Sequence, residues 1–219
     1  GHLSVLEFVR HHPNKPRLVY ASSSSVYGAN AKAPFSEEDR VDHPVSLYAA
    51  TKRSNEMMSE SYAKLYAMEQ VGLRFFTVYG PWGRPDMAYW TFTRDIIEGK
   101  PIRVFNNGQL NRDFTWIDDI VAGVVATALD QPRTAKPSLH RIYNIGNNRP
   151  VELGRFIEIV EQAVGKRAEK IMEPMQPGDV RATYANIDAL ACDYGYAPTT
   201  SLEEGIPRFV KWYRDYTKT

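Results

Sequence analysis

The 219-residue sequence predicts an α/β protein, a partial doubly wound parallel sheet followed by a smaller C-terminal lobe. Two observations predict it. Short apolar runs alternate with helix-length amphipathic segments, the pattern of strands joined by crossover helices. The first of those runs, Arg17 to Ala21, ends abruptly in four hydroxyls, Ser22 to Ser25, as a buried parallel strand does when it opens into a ligand-binding loop. Leu3 to His12 reads as the end of a helix, with Leu3, Leu6 and Val9 at helical spacing, before Pro13 and Pro16 break it. A strand from Leu18 to Ser22, a helix from Ser46 to Ala67, a strand from Leu73 to Val78 and a helix from Tyr89 to Glu98 then alternate. After them come a strand at Ile102 to Phe105 with an Asn106-Asn107-Gly108 turn and a helix at Ile117 to Leu129. A strand at Arg141 to Ile145 and helices at Leu153 to Val164 and Leu202 to Tyr216 complete the order, with Thr134 to Ser138 an exposed loop.

Composition excludes several classes of function. A net charge of +1 with no basic run argues against nucleic acid as a partner. No apolar stretch approaches the roughly 18 residues needed to span a bilayer, and the N-terminus lacks a signal-peptide pattern. Cys192 is the single cysteine, so no intramolecular disulfide forms, which fits a reducing cytoplasm. The five histidines, His2, His11, His12, His43 and His140, lack metal-site spacing, and no metal is expected.

The chemistry centres on Tyr48 and Lys52 in Ser46-Leu47-Tyr48-Ala49-Ala50-Thr51-Lys52. One helical turn separates them, so they share a face. A nearby ammonium favours the phenolate of a tyrosine over its phenol, bringing general-base catalysis toward neutral pH. A serine at the end of the Leu18 strand supplies a hydroxyl to hydrogen-bond the substrate oxygen that the tyrosine deprotonates.

With Ser22-Ser23-Ser24-Ser25-Val26-Tyr27-Gly28 upstream of the Tyr-x-x-x-Lys pair, the chain resembles the extended short-chain dehydrogenase/reductase family, whose nucleotide-sugar members work around a bound NAD in a Rossmann-type domain. The resemblance implies catalytic roles for Tyr48, Lys52 and Ser23, with Ser24 and Ser25 as second choices. It places Ala21, Ser22 and Phe75, together with Tyr48 and Lys52, against the cofactor. Family dehydratases carry Asp-Glu after the catalytic hydroxyl, where Ser24 and Ser25 stand here, and decarboxylases carry Glu at the position of Ser25. Epimerisation is therefore favoured.

The segment Gly72-Leu73-Arg74-Phe75-Phe76-Thr77-Val78-Tyr79-Gly80-Pro81-Trp82-Gly83-Arg84 resembles UDP-glucuronate 4-epimerases within that family. Thr77 stands where galactose-type epimerases carry Asn, and Arg84 suits a sugar carboxylate or the diphosphate. The resemblance also sets Ser23, Ser25, Val104 and Phe105 at the sugar nucleotide, and Arg112 and Arg181 at its diphosphate. It implies a UDP-sugar substrate, NAD as cofactor and a homodimer. A UDP-hexose 4-epimerase, a UDP-glucuronate decarboxylase, and a non-catalytic nucleotide-binding or dimerisation module remain alternatives.

One expected element is missing from the sequence. A dinucleotide-binding half opens with a strand, a Gly-rich turn and a helix, followed about 20 residues later by an acid for the ribose. Nothing in the 219 residues fits that pattern. The expectation is that the chain corresponds to the C-terminal two-thirds of an epimerase and is inactive by itself. Residues 1 to 100 would then be the later part of the NAD-binding domain, and 101 to 219 mainly a sugar-nucleotide lobe whose segments interleave with it.

Overall fold

The computed structural model describes residues 1–30, 32–134, 138–175 and 182–219. In chain order the elements are α1 (His2–His11), β1 (Leu18–Ser23), a 3-10 turn (Ser24–Tyr27), α2 (Leu47–Tyr66), β2 (Gln70–Phe75), β3 (Thr77–Tyr79) and α3 (Ala88–Glu98). They continue with β4 (Ile102–Phe105), a 3-10 turn (Asn106–Gly108), β5 (Asn111–Arg112), β6 (Phe114–Trp116), α4 (Ile117–Leu129), β7 (His140–Ile145) and β8 (Val151–Glu152). Then come α5 (Leu153–Val164), β9 (Lys170–Glu173), β10 (Ala182–Thr183), α6 (Asp188–Tyr194) and α7 (Leu202–Thr217). The α/β class expected from the sequence stands, and the strands pair in parallel except β5 with β8.

The local chemistry explains the boundaries. His12, the residue before Pro13, turns extended at φ −68°, ψ 131° and ends α1. Ser46 caps α2 by accepting the amide hydrogen of Ala49 at 3.1 Å. Gly99, Gly165 and Gly195 each close a helix in the left-handed conformation. One expectation is corrected: the run from Leu73 to Val78 is not a single strand. β2 stops at Phe75, the Phe76 amide bonds to the carbonyl of Ile145 at 3.0 Å, and Thr77–Tyr79 pairs in a different sheet with Phe114–Trp116.

The chain divides into two compact units, and passes between them repeatedly. The first comprises Gly1–Phe76, Val121–Gly146 and Ala185–Ala197. Its sheet has the order β1-β2-β7, parallel throughout, with Leu18 opposite Gln70 and Ser23 opposite Phe75 in register. Gly72 sits beneath the phenol of Tyr20, where a Cβ would lie 2.6 Å from the hydroxyl oxygen. Its third segment is bound in by Asn144, whose amide donates to the carbonyls of Phe35 (2.9 Å) and Asn186 (3.1 Å). The second unit comprises Thr77–Ile120, Asn147–Tyr184 and Pro198–Thr219. Its core packs α3, α5 and α7 through Tyr89, Phe92, Phe156, Val160, Ile206 and Phe209, with Phe114 stacked on Phe156 at 4.5 Å.

In the first unit, β7 opens on a buried histidine. His140 Nδ1 lies 2.7 Å from Glu60 Oε2 and Nε2 lies 2.8 Å from the Tyr20 hydroxyl. Both bonds are satisfied by the neutral tautomer, with Nδ1–H donating to Glu60 and the Tyr20 O–H donating to Nε2. Burial lowers the His140 pKa below its ordinary value, and the opposing pull of Glu60 does not restore it. The unfolded chain therefore binds a proton near the ordinary histidine value, about 6.5, that the folded chain refuses until lower pH. Stability from this site is full above that value and is lost as pH falls through the folded pKa. In urea titrations at a series of pH values, wild type should lose stability below about pH 6.5, and His140→Gln should lose less over the same interval. Parallel slopes would remove His140 as the cause.

Candidate functional site

The first unit brings Tyr48 and Lys52 of α2 to the end of β1. Lys52 Nζ donates to the Ala21 carbonyl at 3.0 Å and lies 5.7 Å from the centre of the Tyr48 ring. Tyr48 is 51% exposed, so its phenol faces outward where a substrate can reach it. An ammonium carries three donors and this one gives only one to the strand here, leaving others for a ligand.

Ser23, the last residue of β1, caps the 3-10 turn that follows. Its Oγ accepts the Ser25 amide hydrogen at 3.2 Å and donates to Ser25 Oγ at 3.2 Å, which fixes both hydroxyls in one turn. Ser23 is nearly buried, Ser24 half-buried and Ser25 exposed. Gly28 closes the turn at φ 59°, ψ −132°, a conformation that suits glycine, and a Cβ there would lie 2.3 Å from the carbonyl oxygen of His43.

Ser22 points the other way. Successive strand residues face opposite sides of a sheet, and the Ser22 hydroxyl donates to Glu56 Oε1 at 2.6 Å in the interior. Ser22 can therefore reach a cofactor through its backbone but not through its hydroxyl. Ala21 is exposed and Phe75 half-buried at the ends of neighbouring strands.

The second unit carries the other sequence-predicted contacts. Thr77 is half-buried at the start of β3. Arg84 is held by Asp86, with Nε to Oδ1 at 3.1 Å and Nη2 to Oδ2 at 2.5 Å, and this fork lowers the Asp86 pKa. Trp82, at φ 61°, packs edge-on against Trp212 and Tyr216 at 5.3 and 5.4 Å. Val104 buries its side chain in the core, so only its backbone is available to a ligand. Phe105 is half-buried beneath Arg103, whose Nη2 donates to Glu173 at 2.6 Å. Arg112 donates to the carbonyl of Asn111 at 3.0 Å in β5. Arg181 lies outside the described residues.

Sequence reasoning missed two charged residues inside the first unit. Glu56 and Arg74 are buried, at 1% and 2% exposure, and make a forked pair with Nε to Oε1 at 2.9 Å and Nη2 to Oε2 at 3.0 Å. Burial alone would push the Glu56 carboxyl up, but the Arg74 hydrogen bonds and charge outweigh it and hold the pKa below the ordinary value. The signals were present: Glu56 follows Lys52 by one turn on the same face, and Arg74 stands alone in an apolar strand. No group of three or more metal-ligating side chains occurs among the described residues. No helix among them is long and apolar enough to cross a membrane.

A buried α/β sheet whose first strand ends in a serine turn beside Tyr-x-x-x-Lys defines a nucleotide-cofactor enzyme of the short-chain dehydrogenase/reductase type. The profile of the NAD dependent epimerase/dehydratase family matches residues 1–146, and the chain belongs to that family. It is 47% identical to Protein CapI of Staphylococcus aureus over all of this chain and 69% of that one. It is 46% identical to UDP-glucuronate 4-epimerase 5 of Arabidopsis thaliana over 99% of this chain and 52% of the relative. It superposes with a TM-score of 0.88 on the UDP-glucuronic acid 4-epimerase of Bacillus cereus crystallised with UDP-glucuronic acid and NAD, at 33% identity over 98% of this chain and 66% of that one. The chain thus spans about half to two-thirds of the length of these proteins.

The residues present fit one end of NAD. Lys52, whose Nζ gives one bond to the Ala21 carbonyl, would hold the ribose end that the family resemblance implies. Among the described residues no strand opens through a Gly-rich turn into a helix, so they do not form a cradle for the pyrophosphate.

Proposed function

We propose that the full-length protein interconverts UDP-glucuronate and UDP-galacturonate by epimerisation at C4. The observation that carries this reading is the Lys52 ammonium, one helical turn from Tyr48, held on the carbonyl of Ala21, two residues before Ser23. Tyr48 takes the proton of the C4 hydroxyl, Ser23 hydrogen-bonds that oxygen, and Lys52 holds positive charge beside the phenolate. NAD, when bound, supplies the acceptor and then the donor of the C4 hydrogen. The residues of this chain position the sugar and move the proton, and return it when the carbon is reduced on its other face. In the second unit, Thr77 and Arg84 suit the uronate carboxylate. Asp86 already offers Arg84 a forked carboxylate of the kind a uronate would present. Arg112 and Arg181 suit the diphosphate, and the β4 backbone at Val104 and Phe105 suits the uracil.

Tyr48→Phe in the full-length protein should lower turnover of UDP-glucuronate by at least about 10²-fold with little change in UDP-glucuronate affinity. Ser23→Ala should lower it more than Ser24→Ala. Epimerisation of UDP-glucose with UDP-glucuronate left untouched would instead favour a hexose epimerase, and a product lighter by carbon dioxide a decarboxylase.

The 219 residues alone are proposed to hold NAD weakly and to turn over little, because Lys52 serves only the ribose end of the cofactor. Calorimetric titration of this chain should show NAD binding weaker than micromolar. Tight UDP binding without NAD would favour a non-catalytic nucleotide-binding module for this stretch.

We also propose a homodimer formed through α1 and α2, working in a reducing cytoplasm. The two helices pack together in the first unit and leave Leu3, Val5, Phe8, Met57 and Leu65 exposed, an apolar set that a second copy could cover. Phe8, at 67% exposure, is the most exposed of the large apolar residues on α1. Phe8→Asp should convert a dimer to a monomer in sedimentation velocity, and an unchanged sedimentation coefficient would move the interface elsewhere.

A further inference from the structure

We infer that the Glu56–Arg74 pair is a positioning device that brackets the serine turn from both ends and sets it against the helix carrying Tyr48 and Lys52. This deepens the epimerase reading and rests on it. Tyr48, Lys52 and Glu56 follow one another at four-residue intervals on α2, so one helix face carries all three. Two consecutive residues of β1 are tied to that face. Lys52 holds the Ala21 carbonyl at 3.0 Å, and Glu56 Oε1 accepts the Ser22 hydroxyl at 2.6 Å. These are the residues immediately before Ser23.

The far end of the turn is tied to the same pair. Arg74 uses Nε and Nη2 on Glu56 and its remaining Nη1 on the Tyr27 hydroxyl, at 3.0 Å. Tyr27, the last residue of the turn, donates its hydroxyl hydrogen bond to Asn144 Oδ1 at 2.6 Å. Burial, with Arg74 and Asn144 opposing it, pushes the Tyr27 pKa up to about 12, so the phenol keeps that proton. Arg53 adds a bond from Nη1 to Glu56 Oε2 at 3.1 Å. Glu56 thus receives four donors on two oxygens.

A buried ion pair is weak evidence for stability, because desolvation offsets most of its attraction, and an apolar pair of the same shape often serves as well. An apolar pair could not hold Ser22 and Tyr27. The planar Arg fork fixes the distance between Glu56 and Tyr27, and so the span of Ser23, Ser24 and Ser25 between them. Neither Glu56 nor Arg74 needs to touch substrate to act in this way.

The test uses the full-length protein loaded with NAD. Ser22→Ala and Tyr27→Phe each cut one end of the bracket and leave the ion pair intact, so both should fold. Glu56→Gln and Arg74→Lys disrupt its centre. Positioning predicts that Ser22→Ala and Tyr27→Phe lower kcat about tenfold with KM for UDP-glucuronate changed less than about twofold, since small misplacements of reacting groups act on the chemical step. It also predicts that backbone amides of Ser23 to Gly28 exchange hydrogen about tenfold faster, as loss of one bond allows, while amides of β2 and β7 do not. Wild-type kcat and wild-type exchange in both variants would overturn it. So would a fall in Tm with exchange rising uniformly over the unit, which marks a structural role only. Failure of the epimerase reading shows separately, as turnover that survives Tyr48→Phe. The bracket then stands or falls on the exchange pattern alone.

Discussion

The setting of the serine turn against α2 depends on a forked ion pair placed where water cannot reach it. A carboxylate and a guanidinium buried together must each find hydrogen-bond partners for nearly every lone pair and proton, or the desolvation cost is not offset. Glu56 and Arg74 meet that demand by recruiting Ser22, Tyr27 and Arg53. The demand is a geometric constraint. The helix, the central strand and the serine turn can take only the arrangement in which all of these bonds close at once. Tyr48 lies on the same helix, two turns before Glu56, and stands at the surface.

Apolar packing does the corresponding work in the second unit. Rings from α3, α5, α7 and β6 interlock around Phe156 and Phe209, while ion pairs such as Arg84 with Asp86 stand exposed. Exposed pairs hold loosely, since solvent screens them.

Much of this was legible in the sequence where the information is local. Ser46 marks the start of α2, Pro13 and Gly99 end helices, and the apolar period of Leu153 to Val164 gives α5 to the residue. Tyr48, Lys52 and Ser23 were readable as a constellation because their spacing is set by one helix and one strand end. What escaped was non-local. The break at Phe76 follows from where Ile145 and Phe114 lie, not from anything in the run Leu73 to Val78. β5, β8 and β10 have two residues each, too few to show alternation. Asp188–Tyr194 was passed over because seven residues hardly establish a helical period. Glu56 and Arg74 were visible as residues, but their meaning needed a partner 18 positions away.

The interleaving of the two units also governs how the molecule is made. The unit that carries Tyr48 is completed by Ala185–Ala197, whose Tyr196 hydroxyl donates to the Gly146 carbonyl and whose Asp193 accepts from Tyr143. Emerging from the ribosome, α2 is finished long before these partners exist. At roughly 5–20 residues per second, the sheet end beside it waits on the order of ten seconds for its last segment. During that interval the nascent chain shows unsatisfied strand ends and apolar rings to the cell, and a premature stop before Ala185 takes the last segment from both units at once.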